Sequence, residues 1–305
     1  MTQKRWGKKY EDKRDWQVYN RQLVKRGEYL FDLDLLDGWE DELKTMNEGK
    51  VGAPYRFPKS LIQMQAMWHV HQLPYRMIQG ITIDLVKIAK IPQDNHYSTA
   101  NRRINKLPLD LAMPQSDSIA LFADGTGFRV VEGGEYLREK YGKKNRRWVQ
   151  VVILGDPVTK EPVSFDVNII QSSEVESAKE QLIDVKNEGI TITEFGGDGG
   201  FDDLELWNWC DFENIKPVIK PDINAREDSE SALRNIVVKR RNADGYSEWQ
   251  RKTGYGRRWP ATEGIFSAVK VMFGEELHAR SEDGLLQEAG LKFWAYQRMK
   301  RYGEA

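Results

Sequence analysis

Three acidic residues, Asp124, Asp198 and Glu263, have positions in the sequence at which carboxylates could do chemistry. Asp124 and Asp198 each follow a short apolar run that predicts a buried strand, and each precedes glycine, which lets a ligand approach the backbone closely. Open α/β sheets place functional groups at the carboxyl ends of their strands. Paired carboxylates repel unless a cation lies between them, so the pair predicts a hard divalent metal, Mg²⁺. Either Asp-Gly alone is also ordinary turn chemistry.

Glu263 opens a predicted helix over residues 261–273. Lys270 follows seven residues later, which is two turns and about 10 Å along the same helix face. That face therefore presents a candidate metal ligand beside a candidate phosphate contact. An acid in the first turn is also favoured by the helix dipole alone, without any metal.

The elements that must position these acids follow a recognisable order. Apolar runs predict strands at 119–123, 148–154, 163–170, 190–195 and 217–220, with a hairpin around Asp156. Helices are predicted at 174–187 and 202–212. Three strands, helix, strand, helix and strand predict an α/β fold with a ribonuclease H-like mixed sheet and flanking helices.

A helical region precedes this sheet. We predict two domains: a helical N-terminal DNA-binding domain at 1–112, and a catalytic domain at 113–305 with a basic insertion around 222–258. Three helices between 59 and 107 are compatible with a helix-turn-helix-like reader, whose last helix starts at the N-cap Ser98 and carries Arg102 and Arg103. An ordinary helical bundle with a basic last helix fits the same pattern.

Composition excludes several classes of protein. The 305 residues include one cysteine, Cys210, which excludes a disulfide framework and paired-cysteine zinc sites. No apolar window approaches the ~18 residues of a spanning helix, and the charged start shows no secretory signal. The net charge of −1 argues against a nucleic-acid partner, yet Lys and Arg cluster in runs at 1–26, 138–147 and 234–258. A single run is usually a solvated face; three such runs indicate phosphate binding.

Tyr255, Arg258, Glu263 and Lys270 form the pattern Tyr-x2-Arg followed by Glu-x6-Lys. This pattern resembles the Tyr-Arg-Glu-Lys signature of prokaryotic insertion-sequence transposases, which carry an Asp-Asp-Glu catalytic triad. The segments around Asp124 and Asp198 are similar to the first two acid blocks of that family. Four residues separate Arg258 from Glu263 where the family has three, so either Arg257 shares the arginine's role or the helix start is displaced.

The resemblance implies an insertion-sequence DNA transposase that binds terminal inverted repeats and catalyses hydrolysis and strand transfer. It implies that Asp124, Asp198 and Glu263 hold two Mg²⁺ ions, with Mn²⁺ as a substitute. Its partners are double-stranded DNA of the element ends and the target, and a second copy in a synaptic dimer. It implies a nucleoid-associated protein of the prokaryotic cytoplasm with no membrane partner. The residues assigned to DNA contact are Tyr255, Arg257, Arg258, Lys270, Arg102 and Arg103.

Two other functions remain open on the sequence. A catalytically inactive DNA-binding protein derived from a transposase would keep the basic runs without cleaving DNA. A sugar kinase of the actin-like fold would use Asp124-Gly-Thr-Gly127 to cradle phosphates, although 118 residues precede its first strand and no second copy of the domain is visible.

Overall fold

The computed structural model describes residues 14–88, 91–131, 147–169 and 172–305, and the backbone of a short ribbon formed by β1 (Lys4–Arg5) and β2 (Lys8–Lys9). Apart from Arg147, the predicted basic run at 138–147 lies outside the described residues. Within the described part of the chain, no helix has both the length and the apolar character needed to cross a membrane.

One mixed sheet of six strands organises the molecule. Its strands are β3 (Ser118–Val130), β4 (Trp148–Asp156), β5 (Glu161–Asn168), β6 (Thr191–Gly197), β7 (Lys216–Ile219) and β8 (Glu276–Leu277). The order is β5-β4-β3-β6-β7, and β8 pairs with the far end of β3. β3, β4 and β5 form an antiparallel meander, whereas β6 and β7 run parallel to β3. The prediction of a mixed α/β sheet with flanking helices is confirmed.

β3 is longer than the sequence predicts, and this corrects the expected position of Asp124. Asp124 does not follow the strand but lies inside it, because antiparallel pairing with β4 continues from Phe122 to Arg129. Asp and Gly are poor strand formers in isolation, so the strand was predicted to end at residue 123. Pairing with the Val-rich β4 outweighs this local preference.

Five helices lie in the described region before the sheet. They are α1 (Trp16–Glu28), α2 (Trp39–Asn47), α3 (Lys59–Val70), α4 (Tyr75–Ile88) and α5 (Tyr97–Ile104). The N-cap of α5 is His96, whose Nδ1 accepts from the Ser98 amide, and not Ser98 as predicted. α3 is buried on two sides: Leu61 packs with the other N-terminal helices, while Ile62 joins the core beneath the sheet. α3 therefore connects the hydrophobic cluster of the N-terminal helices to the cluster beneath the sheet, and the division at residue 112 stays a prediction.

The helices after β5 cover the two faces of the sheet. They are α6 (Glu174–Asn187), α7 (Leu204–Phe212), α8 (Ala232–Asp244), α9 (Tyr246–Thr253), α10 (Arg258–Ala261), α11 (Glu263–Phe273) and α12 (Glu282–Glu304). α6 and α7 pack on one face, and α11 and α12 on the other. The stretch predicted only as polar, 222–258, contains α8 and α9.

The long helix α12 was not predicted, and it anchors α11. Buried Lys292 of α12 donates from Nζ to the carbonyls of Phe273 (3.0 Å), Gly274 (2.8 Å) and Glu276 (2.8 Å). These carbonyls lie at and just beyond the C-terminal end of α11, where backbone acceptors lack helical partners. Burial lowers the pKa of Lys292 to about 8. Lys292 thus holds the end of α11 opposite to Glu263.

Gly155 sets how closely α10 and α11 approach the sheet. A Cβ at Gly155 would lie 1.7 Å from the carbonyl oxygen of Ala261, two residues before Glu263. Only glycine leaves room for that backbone oxygen, so the position of Glu263 over the sheet depends on it.

We expect Gly155→Ala to lower the free energy of unfolding by about 1–3 kcal/mol, because the added methyl group forces α10 away from β4. Urea denaturation followed by circular dichroism measures this change. The control is Gly80→Ala on exposed α4, where a Cβ meets nothing within 4 Å, and which should stabilise the helix by about 1 kcal/mol. Equal stability of wild type and Gly155→Ala would contradict the close approach.

Candidate active site

Asp124 and Asp198 lie at the same level on neighbouring parallel strands. The last residue pair between β3 and β6 is Phe122 with Gly196, and each aspartate is two residues further along its strand. Adjacent strands are separated by about 4.8 Å, so the register itself brings the two acids together. β6 ends at Gly197 while β3 continues, which leaves one edge of β3 open from Asp124 until β8 pairs at Arg129.

Two glycines allow this tight junction. A Cβ at Gly196 would lie 2.3 Å from the ring of Phe122, and one at Gly197 would lie 2.6 Å from the ring of Phe201. Asp198 then turns the chain, since its Oδ1 accepts from the amide of Gly200 at 2.8 Å and caps a 3₁₀ turn. Asp198 is therefore held at the end of β6, as the sequence predicted.

Glu263 approaches from the other side of the open edge. It is the first residue of α11, and its side chain is exposed. Glu263 and Lys270 line one cavity of 370 Å³, together with Gly125 and Thr126 of the open β3 edge. The structure thus places this acid and this lysine on one surface beside the strand that carries Asp124.

Arg258 connects Asp124 to the element that carries Glu263. Its Nη1 donates to Asp124 Oδ2 at 2.5 Å, and the hydroxyl of Thr262 lies 3.2 Å from the same oxygen. The other carboxylate oxygen accepts from the amide of Gly125 at 2.9 Å. The Arg258 and Asp124 side chains are only 19% and 13% exposed. This pair joins positions 134 residues apart, and no local sequence pattern predicts it.

The electrostatics of the site favour a cation. Burial is the largest effect on Asp124; Arg258 opposes it, and the negative charges of Asp198 and Glu263 add to it, so that the pKa of Asp124 rises to about 6. Burial alone would lower the pKa of Arg258, but the charge of Asp124 and the more distant acids Asp198 and Glu263 raise it. The three predicted acids therefore act on one another and on a single guanidinium.

The donor chemistry fits a hard divalent cation, since all three acids offer carboxylate oxygens. Their arrangement, however, is not yet a metal centre. Among the residues that the structure describes, no group of three His, Cys, Asp or Glu side chains is placed to hold one metal ion. The Arg258 guanidinium occupies an oxygen of Asp124 that a cation would need.

Tyr255 and Arg257 do not face the acids as Arg258 does. Tyr255 is only 7% exposed, its ring lies 5.4 Å from that of Trp249, and the Arg258 guanidinium lies 5.9 Å from the Tyr255 ring. Arg257 pairs with Glu194 of β6. The arginine ambiguity in the sequence is thus answered by geometry: Arg258, and not Arg257, contacts an acid of the site.

Arg102 and Arg103 also have different surroundings. Arg103 donates to the carbonyl of Phe57, and its guanidinium lies 4.9 Å from the ring of Tyr55. Arg102 is exposed and lines a cleft of 420 Å³ with Lys59 and Lys106. Arg103 is therefore held within the N-terminal region, whereas Arg102 has its charge available at the surface.

Ion pairs with other residues of the protein neutralise much of the positive charge of the basic insertion. Arg251 pairs with Glu248, and Lys252 pairs with Asp244. Buried Arg234 donates two hydrogen bonds, of 2.7 and 2.6 Å, to the Asp202 carboxylate.

Asp202 anchors the insertion, a role that the sequence analysis missed. It also accepts from the indole of Trp207 at 2.8 Å and from the amide of Asp222 at 2.9 Å. Burial alone would raise the pKa of Asp202, but these hydrogen bonds and Arg234 hold it below its usual value. Asp202 thereby ties α8 to the loop that follows Asp198, across a separation of 32 residues that no motif spans.

The segment Asp124-Gly-Thr-Gly127 is a paired strand rather than a loop. Its residues pair with β4 from Ile153 to Gln150. The backbone groups on the β4 side are engaged in this ladder, so the segment belongs to the sheet and is not a separate phosphate-binding loop.

Two family models and one solved structure are similar to this chain. A family model described as the transposase DDE domain matches residues 115–298, and a second model with the same description matches residues 24–133. The cryo-EM structure of a piggyBac transposase synaptic complex with hairpin DNA is similar over 91% of this chain and 73% of that chain, with 12% sequence identity and a TM-score of 0.44. The first family model spans more than half of the sequence, and the chain therefore belongs to the transposase DDE domain family.

Proposed function

We propose that the chain is an insertion-sequence DNA transposase of a prokaryote. In this proposal it binds the terminal inverted repeats of its element and catalyses metal-dependent phosphodiester hydrolysis and strand transfer. The observation that carries the proposal is the convergence of Asp124, Asp198 and Glu263 on Arg258 at the open edge of β3. The strand order, with an antiparallel meander followed by two strands parallel to β3, supports a ribonuclease H-like catalytic domain.

Asp124, Asp198 and Glu263 would hold the metal ions, two Mg²⁺ with Mn²⁺ as a substitute. When bound, such ions activate the attacking water or 3′-hydroxyl and stabilise the leaving oxygen. Thr262 and the Gly125 amide fix the orientation of the Asp124 carboxylate.

The remaining side chains of the site suit a DNA backbone. Lys270 presents a positive charge in the same cavity as Glu263, where a phosphate next to the scissile bond would lie. The ring of Tyr255 lies 5.9 Å from the Arg258 guanidinium, close enough for a cation–π contact. Trp259, next to Arg258, is 61% exposed and offers a flat aromatic surface to a base.

The partners follow from this chemistry. The substrates are double-stranded DNA of the element ends and of the target, with two copies of the chain joining two ends in a synaptic dimer. The proposed site of action is the chromosome in the prokaryotic cytoplasm.

Substitution of Asp198 tests the catalytic proposal. We expect Asp198→Ala to reduce Mg²⁺-dependent cleavage of element-end DNA by about a thousandfold, which corresponds to about 4 kcal/mol of lost transition-state stabilisation. Gel analysis of end-labelled duplex measures the rate. The control is Asp211→Ala, because Asp211 is exposed near the C-terminal end of α7 and is not one of the proposed site residues. Retained cleavage by Asp198→Ala would refute the mechanism, and DNA binding without cleavage by wild type would favour the inactive, transposase-derived binding protein.

The raised pKa of Asp124 predicts a stability effect with a definite sign. Its folded pKa of about 6 exceeds the ordinary value of 3.8, so the ionised carboxylate destabilises the folded state above about pH 6. This destabilisation fades as the pH falls from 6 towards 4.

We therefore expect Asp124→Asn to raise the free energy of unfolding at pH 7 by about 1–2 kcal/mol in metal-free protein. The gain should disappear near pH 4, where wild-type Asp124 is itself protonated. Urea denaturation in EDTA at both pH values measures it, with Asp211→Asn as the exposed control. A loss of stability at pH 7 would show that the Arg258 ion pair outweighs the cost of burial.

The cleft beside α5 predicts which cations contact DNA. In the part of the chain that the structure describes, Lys59, Arg102 and Lys106 have no ion-pair partner. We expect Arg102→Gln and Lys106→Gln each to reduce the slope of log K against log salt by about 1. Fluorescence anisotropy with a labelled duplex measures the slope. Lys87→Gln, whose lysine pairs with Asp84 on α4, is the control and should leave it unchanged. An unchanged slope in both cleft variants would exclude the cleft from the DNA interface.

A further inference from the structure

Hydrogen-bond donors occupy both oxygens of the Asp124 carboxylate, and Oδ2 receives two of them. Oδ2 receives both Arg258 and Thr262, and these two donors use its two lone pairs. Oδ1 receives the Gly125 amide. A divalent cation that binds Asp124 through Oδ2 must therefore displace a donor, and Arg258 is the one whose charge it would replace.

Arg258 occupies the electrostatic position of a cation. It forms an ion pair with Asp124, and the charges of Asp198 and Glu263 also act on it. Arg258 therefore offsets part of the repulsion that Asp198 and Glu263 exert on Asp124.

The guanidinium of Arg258 has the chemistry to exchange a carboxylate partner for a phosphate. Its guanidinium has five N–H donors, and Nη1 is the atom that contacts Asp124. Guanidinium groups bind phosphate through two parallel hydrogen bonds, so a phosphate can compete with a single bond to a carboxylate. Arg258 lies at the open edge of β3, on the side where Glu263 and Lys270 line their cavity.

We propose that Arg258 is paired with Asp124 when no DNA is bound and transfers to a DNA phosphate when DNA binds, which frees Asp124 for a divalent cation. This inference rests on the proposed function, and it assigns Arg258 the role of coupling DNA binding to metal binding. By thermodynamic linkage the coupling is reciprocal: DNA tightens metal binding, and metal tightens DNA binding, by the same factor.

Binding of Mn²⁺ alone, without DNA, tests the competition directly. Isothermal titration calorimetry at pH 8, where carboxyl groups are ionised, compares wild type with Arg258→Gln. We expect Arg258→Gln to bind Mn²⁺ about tenfold more tightly, the factor that corresponds to one charge-assisted hydrogen bond of about 1.4 kcal/mol. Equal or weaker binding by Arg258→Gln would overturn the proposal.

Two controls separate displacement from a general change of charge. Arg257→Gln removes the neighbouring arginine, which pairs with Glu194, and Lys270→Gln removes a positive charge from the cavity beside Glu263. Both should change Mn²⁺ affinity by less than Arg258→Gln does. If all three variants gain equally, the effect is general electrostatics and the proposal fails. Should Arg258→Gln not fold, Arg258→Lys replaces it, with a smaller gain expected and no gain as the contrary result.

The second measurement is duplex affinity by fluorescence anisotropy, with and without Mn²⁺. Wild type and Arg257→Gln should bind duplex more tightly with Mn²⁺, and Arg258→Gln should lose most of that increase. Equal increases in all three proteins would overturn the coupling. These readouts do not depend on catalysis: if Arg258→Gln gains Mn²⁺ affinity while wild type cleaves no DNA, the transposase function fails and the competition between Arg258 and the metal stands.

Discussion

The parallel pairing of β3 with β6 is the constraint on which the site depends. Once Phe122 pairs with Gly196, Asp124 and Asp198 must lie side by side, whatever their mutual repulsion. Gly196 makes the register sterically feasible because its missing side chain leaves room for the Phe122 ring. The fold thus places two like charges at neighbouring strands, and the surrounding structure has to compensate for their repulsion.

Compensation comes from Arg258, and it is incomplete. The guanidinium pairs with Asp124, yet the pKa of that carboxyl still rises to about 6 because burial outweighs the attraction. A group of acids that Arg258 neutralises only in part favours added positive charge. Such residual instability is characteristic of functional sites, where binding and not folding determines the arrangement.

Local patterns predicted much of the fold. α6 has the predicted bounds, since it begins after the cap Ser173 and stops before Gly189. The predicted hairpin around Asp156 joins β4 to β5. β3 beyond residue 123 was missed because its strand conformation comes from pairing with β4 rather than from Asp-Gly-Thr-Gly itself. α12 was missed because it is buried on most sides, and polar residues such as Lys292 find partners inside the protein.

The site shows the same division between local and distant information. The three acids and Lys270 were found because residue type and spacing mark them. Neither the Arg258–Asp124 pair nor the contact of Gly155 with Ala261 was predicted, because each joins segments far apart in the sequence. The sequence therefore identified candidate ligands, and the structure was needed to show which side chains contact them.

The clustering of positive charge in the sequence also has to be interpreted with the ion pairs that the structure shows. The basic run at 234–258 contains Arg234, Arg257 and Arg258, and each of them pairs with an acid outside the run. Part of the run's excess positive charge is therefore neutralised by the excess negative charge of the rest of the chain. The Arg234–Asp202 and Arg258–Asp124 pairs differ in how deeply their side chains are buried. Asp202 is enclosed with Arg234 and carries further hydrogen bonds from the backbone and Trp207, so that pair stays closed. Arg258 and Asp124 keep more exposure, 19% and 13%, at an open strand edge, which is why the exchange of partners is proposed for this pair and not for the other.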